Sequence, residues 1–285
     1  MTATRTARIA LAVLAFTSLA AGRATAQPPL IPDGPRGVVD SPCPPPLSPP
    51  PELAQAIRDP SAPPPPAVAA FLKETDRRAS VDWPNLCRYA PDNAALGGRA
   101  PTVVFLGDSI TEGWARMDPQ FFTANSAAGR GISGQVSGQT LLRFQQDVVA
   151  LHPKVVHIMI GTNDVAGNAG PTTYADIERN LTAMVQLARA NKIRVVLATV
   201  PPAADFPWRR GMAPAQKIIA LNRWIRDYAK RENLILADYH AALADPAGGF
   251  RASWTVDGVH PNADGYKVMD PIAQGAVQAA LAQRQ

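Results

Sequence analysis

The sequence predicts an α/β fold: a mostly parallel sheet covered by helices on both faces. Three observations carry that expectation. Residues 102–106, 155–160 and 193–200 are short, near-continuous apolar runs, the pattern of strands buried on both faces. Residues 176–190 and 214–231 are amphipathic at the helical period. Strand and helix patterns also alternate along the chain, as βα units require.

The N-terminal region reads differently. Arg5 and Arg8 precede an apolar run over residues 9–21, followed by Ala24-Thr25-Ala26. A charged stretch, an apolar stretch and a small-residue site make a cleavable secretory signal, so residues 1–26 are expected to be cut off after Ala26 on export to the periplasm or medium. The run is shorter than the ~20 residues needed to cross a bilayer. No cysteine follows it to carry a lipid, so no stable membrane anchor is expected. Losing residues 1–26 removes three arginines and no acid, which takes the formal charge from +5 to +2. No basic cluster then remains to suggest nucleic acid.

Residues 27–66 hold 16 of the 29 prolines. Such a stretch cannot form a helix interior or a central strand, and it lacks the apolar content for a core. It reads as a semi-rigid arm or linker, with one or two helical turns at 52–58. Cys43 and Cys87 lie in the exported part, where an oxidising compartment permits a bridge from arm to domain; two unpaired thiols are the alternative. Neither has metal-ligand company, so no metal site is expected.

The globular domain spans residues 67–285 and opens on a helical lead-in, 67–79, and a packed segment, 82–89. After the strand at 102–106, a weaker strand is expected near 121–127 and a helix over 139–150. The strand 155–160 precedes the helix 176–190, whose Ile177, Leu181, Met184, Val185 and Ala188 share one face. Pro201-Pro202 ends the strand 193–200. In the helix 214–231, Pro214 suits the first turn and Ile218, Leu221, Ile225 and Tyr228 point inward. A short strand follows at 234–237. The terminal helix, from 261 to about 281, is expected to break or restart near Pro271.

Ligands of such sheets sit outside the carboxyl ends of the strands. Three polar segments fall there: Gly107-Asp108-Ser109, Gly161-Thr162-Asn163-Asp164 and Val200-Pro201-Pro202. Ser109 stands where a buried strand gives way to a helix start, a position suited to a nucleophile or merely to a cap. His260, in Asp257-Gly258-Val259-His260-Pro261, can serve as its base, with Asp257 holding the imidazole. The other histidines fit less well. His157 lies inside an apolar strand, His152 precedes a proline, and no acid is suitably spaced after His240. An acyl-transfer site also needs oxyanion donors. The glycine-rich turn expected at 129–134 offers backbone N–H groups, Gly131 first among them, and Asn163 offers a side-chain amide.

These four blocks, in this order, resemble the SGNH or GDSL-type hydrolase family, and the likeness spans roughly residues 100–281. The resemblance implies a flavodoxin-like three-layer α/β/α sandwich on a five-stranded sheet and no cofactor. It assigns Ser109 as nucleophile, His260 as base and Asp257 as its orienter. The N–H groups of Ser109 and Gly131 and the amide of Asn163 would form the oxyanion hole. Two positions depart from the family pattern: Ile110 stands for leucine, and Gly129 where many members carry asparagine. The G-x-S-x-G motif of the larger α/β-hydrolases is absent. The segment 161–168 is similar to bacterial members near the platelet-activating-factor acetylhydrolase subunits, a neighbourhood that includes enzymes for small acyl groups.

The implied activity is an exported serine esterase for short acyl esters, small-molecule or carbohydrate. A lysophospholipase, thioesterase or arylesterase fits the same triad. A polysaccharide acetyltransferase would need a donor source that this chain does not contain. A non-catalytic carbohydrate-binding protein on the same fold would have no need to keep Ser109, Asn163, Asp257 and His260 together. Trp114, Phe206, Trp208 and Trp254 are candidates to line the substrate site, or else to pack the core.

Overall fold

The computed structural model describes residues 43–45, 47–58 and 62–283. The expected export signal and the start of the proline-rich arm lie outside the described residues. Five strands form one parallel sheet: β1 (Val103–Gly107), β2 (Ala127–Gly131), β3 (Val155–Met159), β4 (Arg194–Ala198) and β5 (Ile235–Ala237). Their order is β2-β1-β3-β4-β5. That is the flavodoxin-like order, which opens a crevice at the carboxyl ends of β1 and β3, where the winding reverses.

Two-residue alternation divides each central strand between two cores. Val104, Leu106, Val156, Ile158, Val195 and Leu197 face one core. Val103, Phe105, Val155, Met159, Val196 and Ala198 face the other. Helices Tyr174–Ala190 and Ala215–Arg231 close the first face with the nine apolar side chains that their periodicity marked. Helices Ser109–Met117 and Ala263–Ala282 close the second. Each fully buried Leu, Ile, Val or Met contributes about 1.5–3 kcal/mol. That far exceeds any helix's own propensity, so packing holds the layers together.

Four local expectations are corrected. The second strand lies later than residues 121–127. Asp118 caps a helix at Pro119–Ala124 by accepting from Phe121 N at 3.0 Å, and β2 begins only at Ala127. β2 reads Ala-Ala-Gly-Arg-Gly and carries no strand signal of its own. It is small because helix Ser109–Met117 lies directly on it: a Cβ on Gly131 would sit 2.2 Å from Glu112 N and 2.6 Å from Asp108 O. The glycine-rich turn at 129–134 is therefore half strand, and only residues after Gly131 form a loop. The single helix at 139–150 is three short pieces, Ser137–Leu142, Phe144–Asp147 and Val149–Leu151. The chain bends there because Arg143 turns fully inward while Leu142 stays exposed. The terminal helix runs unbroken through Pro271 from Ala263 to Ala282, with Met269, Ala273 and Ala276 packed into the second core.

The segment after helix Pro66–Ala79 covers the open edge of β2. Tyr89 donates its hydroxyl to Gly131 O, and Arg130 Nε donates to Asn93 Oδ1 at 2.8 Å. Gln135 Nε2 reaches Pro84 O at 2.7 Å. An edge strand needs such a cover to avoid pairing with another chain. Cys43 and Cys87 are joined by a disulfide, with Cα atoms 5.2 Å apart and a separation of 44 in sequence. Among the described residues no helix is long and apolar enough to cross a membrane.

Helix Pro66–Ala79 buries only Val68 fully, so its hold on the domain depends strongly on that bridge. Reduction should expose residues 43–79 to limited proteolysis while the sheet stays protected. Equal resistance with and without reductant would mean that the helix is held by its own packing.

Candidate active site

The carboxyl ends of β1 and β3 and one distant loop meet at the sheet's rim. β1 runs into Asp108, whose carboxylate caps helix Ser109–Met117 by accepting from Ile110 N at 3.0 Å. Ser109 is the helix's first residue and is half-buried. N–H groups of a first turn have no partner within the helix, so this end favours developing negative charge.

His260 arrives from the far end of the chain. Its Nε2 lies 2.9 Å from Ser109 Oγ, and its Nδ1 lies 2.7 Å from Asp257 Oδ2. The other oxygen of Asp257 accepts from His260 N at 2.8 Å and Val259 N at 3.0 Å. Thr255 closes the same loop: its hydroxyl donates to His260 O at 2.7 Å and accepts from Gly258 N at 3.0 Å. Burial alone would raise the Asp257 carboxyl, but hydrogen bonds with the His260 ring and backbone hold it below the ordinary range. A charged carboxylate at Nδ1 favours the proton there and leaves Nε2 free to accept from the serine hydroxyl.

Asn163 follows β3 on the short helix Thr162–Val165 and is buried. Its Nδ2 donates to Gln135 O at 3.0 Å and lies 3.4 Å from Asp108 Oδ2. Its Oδ1 accepts from Asn168 Nδ2 at 2.7 Å. Gly131 does not join this group as expected. Ile132 N donates to Gly107 O at 3.1 Å, so Gly131, one residue earlier, points its N–H to the opposite side of the strand. Its own C=O accepts from Tyr89 on that outer side. The backbone nearer Asn163 is the next loop, where Gly134 takes the left-handed φ of +79° immediately before Gln135.

The aromatics separate cleanly. Trp208 stands at the site, its ring centre 6.0 Å from that of His260, stacked on Phe206 at 5.1 Å. Its indole N–H donates to Asn168 Oδ1 at 3.1 Å. Trp114 and Phe206 are fully buried and cannot line a substrate site. Trp114 instead stacks on Phe121 and Tyr266 and donates to Asp270 Oδ1 at 2.9 Å. Trp254 is half-buried beneath the Arg251 guanidinium and packs on the second core.

Sequence reasoning missed Arg143, Gln135 and Asn168. Arg143 is fully buried, and its guanidinium donates to Gly107 O at 2.8 Å, Gln135 Oε1 at 2.6 Å and Asp147 Oδ2 at 3.1 Å. A lone charge inside a helical pattern reads as solvent-facing, so no signal marked it. Asn168 sat within a recognised block, but nothing in the spacing said which group it would touch.

The sequence profile described as GDSL-like Lipase/Acylhydrolase family matches residues 105–268. A solved GDSL-like lipase from Bacteroides thetaiotaomicron is 44% identical, with a TM-score of 0.66 over 69% of this chain and 98% of that one. A solved acetyl xylan esterase is 26% identical, with a TM-score of 0.50 over 61% of this chain and 98% of that one. Among curated proteins, YqeF of Bacillus subtilis, an uncharacterised lipoprotein, is 29% identical over 166 residues. That match takes in 52% of this chain and spans 60% of the relative's length.

Asp108 yields a test by pH. Burial pushes its carboxyl up to about 6, from an ordinary 3.8. The native state therefore holds an extra proton between those values, and stability falls as pH rises through that window. Asp108→Asn removes the charge and keeps a capping side chain. The variant should gain on the parent by roughly 3 kcal/mol between about pH 4 and pH 8, read from urea unfolding at each pH. A stability difference that stays constant with pH would refute the shift.

Proposed function

The chain belongs to the GDSL-like lipase/acylhydrolase family, and we propose that it is an exported serine esterase for short acyl esters, with carbohydrate O-acetyl groups as its substrate class. The observation that carries this reading is the continuous line from the Asp257 carboxylate through both ring nitrogens of His260 to Ser109 Oγ.

In this mechanism His260 Nε2 takes the proton as Ser109 Oγ attacks the ester carbonyl. The oxyanion is met by the Ser109 N–H at the helix start and by the Asn163 amide. We assign the third donor to the Gly134 N–H and not to Gly131, whose polar groups face Tyr89. The His260 proton then passes to the departing alcohol and leaves the acyl group on Ser109. Water activated by the same imidazole releases the acid. Each oxyanion donor is worth about 2.7–4 kcal/mol of transition-state stabilisation.

Two features support a small acyl group and a sugar alcohol. The acetyl xylan esterase shares the fold at 26% identity. Trp208 brings an aromatic face beside His260, where a sugar ring can stack. Export rests on the N-terminal signal pattern, which the lipoprotein relative's name accompanies.

Ser109→Ala should abolish hydrolysis of nitrophenyl acetate and labelling by a fluorophosphonate, a loss of several orders of magnitude. A folded Ser109→Ala protein that still labels would move the nucleophile elsewhere. Along an acyl series, acetyl esters should exceed octanoyl esters in kcat/KM. An open apolar groove would instead gain ~0.8 kcal/mol per buried CH₂, so a rate rising steadily to octanoyl would replace the deacetylase with a lipid or thioester hydrolase.

A further inference from the structure

We propose that Asn168 and Trp208 are positioning residues that fix which end of the Asn163 amide faces the oxyanion; this rests on the esterase reading. The two ends of an asparagine amide have nearly the same shape but opposite hydrogen-bonding roles. Turned by half a rotation, Asn163 would present a carbonyl to the oxyanion and repel it. The Asn163 orientation is held from both ends: Asn168 Nδ2 donates to Asn163 Oδ1 at 2.7 Å, while Asn163 Nδ2 faces the acceptors Gln135 O at 3.0 Å and Asp108 Oδ2 at 3.4 Å. Asn168 is itself an amide with the same ambiguity. Trp208 resolves it, since an indole N–H can only donate, and it donates to Asn168 Oδ1 at 3.1 Å.

The outer end of the chain enforces the same order as the acceptors at its inner end. A donor-only indole holds one oxygen, that amide's nitrogen holds the next oxygen, and the Asn163 nitrogen is left to face Gln135 O and the site. Both ends of the relay are anchored. Trp208 is stacked on the fully buried Phe206. Asn168 N donates to Asn163 O at 3.0 Å, which keeps the two amides adjacent. The same indole flanks His260, so one side chain borders the base and orients the oxyanion donor.

The test compares substitutions that change hydrogen-bonding role at nearly constant shape. Asn168→Asp puts an acceptor where Asn163 Oδ1 needs a donor, which drives the Asn163 amide out of its held orientation. Its kcat on nitrophenyl acetate should fall about 10²–10³-fold, as for Asn163→Ala, with little change in KM. Asn168→Ala only frees the amide and should lose less. On acidification the introduced carboxyl gains a proton and can donate again, so the kcat of Asn168→Asp relative to Asn168→Ala should rise as pH falls. A role in folding alone would leave that ratio flat. Trp208→Phe keeps the stack and removes only the donor, so it should lower kcat more than KM.

The Asn163 side-chain amide resonance, assigned with Asn163→Ala, should shift in both Asn168→Asp and Trp208→Phe. A kcat for Asn168→Asp no lower than for Asn168→Ala at any pH, or an unmoved Asn163 resonance, would overturn the relay. A parent protein that neither hydrolyses esters nor labels would overturn the esterase reading instead, and the resonance would still decide the relay.

Discussion

A fully buried guanidinium governs the architecture around this site. Arg143 has no access to water, and an ion taken out of water costs several kcal/mol unless it is paired and hydrogen-bonded. Its partners are the last carbonyl of β1, the side chain of Gln135 in the loop after β2, and the carboxylate of Asp147. Satisfying that one cation ties the strand that delivers Ser109 to the loop whose carbonyl meets Asn163. It also breaks the expected helix over 139–150 into short pieces. The positions of Ser109 and Asn163 are thus coupled through a residue that touches neither side chain.

Around that tie, the chemistry is divided between local and distant parts. Asp257 and His260 are three residues apart, and the loop closes on itself through the Asp257 carboxylate and the Thr255 hydroxyl. Such a unit can hold its geometry with little help. Ser109 and His260 are 151 residues apart and meet only because the sheet brings the end of β1 beside the start of the terminal helix. The Asn163 side of the site is assembled differently, from a run of neutral amides ending at an indole. Neutral groups suit a buried wall, because they can be satisfied one by one without a net charge to desolvate.

The edge of the sheet obeys a further constraint. β2 is too small and glycine-rich to cover itself, and its outer carbonyls need partners. The lead-in meets Gly131 O through Tyr89 and the Arg130 side chain through Asn93, and continues through Pro84 to the loop at Gln135. Arg88 pairs with Glu112, which also accepts from Ser133 N at 2.9 Å. The disulfide to Cys43 thus lies next to residues that brace both the edge strand and the loop beside the site.

Much of this was legible in the sequence. Strands buried on both faces announce themselves by continuous apolar runs, and two helices by their spacing, because burial dictates composition directly. Ser109, Asn163, Asp257 and His260 were legible as blocks, since the first two follow strand ends and the last two precede the terminal helix, all of which pattern alone locates. The weak strand β2 was misplaced, because its residues answer to the helix lying on them and not to strand propensity. The side that Gly131 faces was not legible either: a glycine spacing does not say which way an N–H points, and pairing to β1 does. The roles of Arg143, Asn168 and Trp208, and the burial of Trp114 and Phe206, were decided only in three dimensions. By itself the sequence determined the layers and the order in which the candidate site residues come. The tertiary structure alone decided which distant groups meet, as Ser109 meets His260 and Trp208 meets Asn168, because those partners lie far apart in the chain.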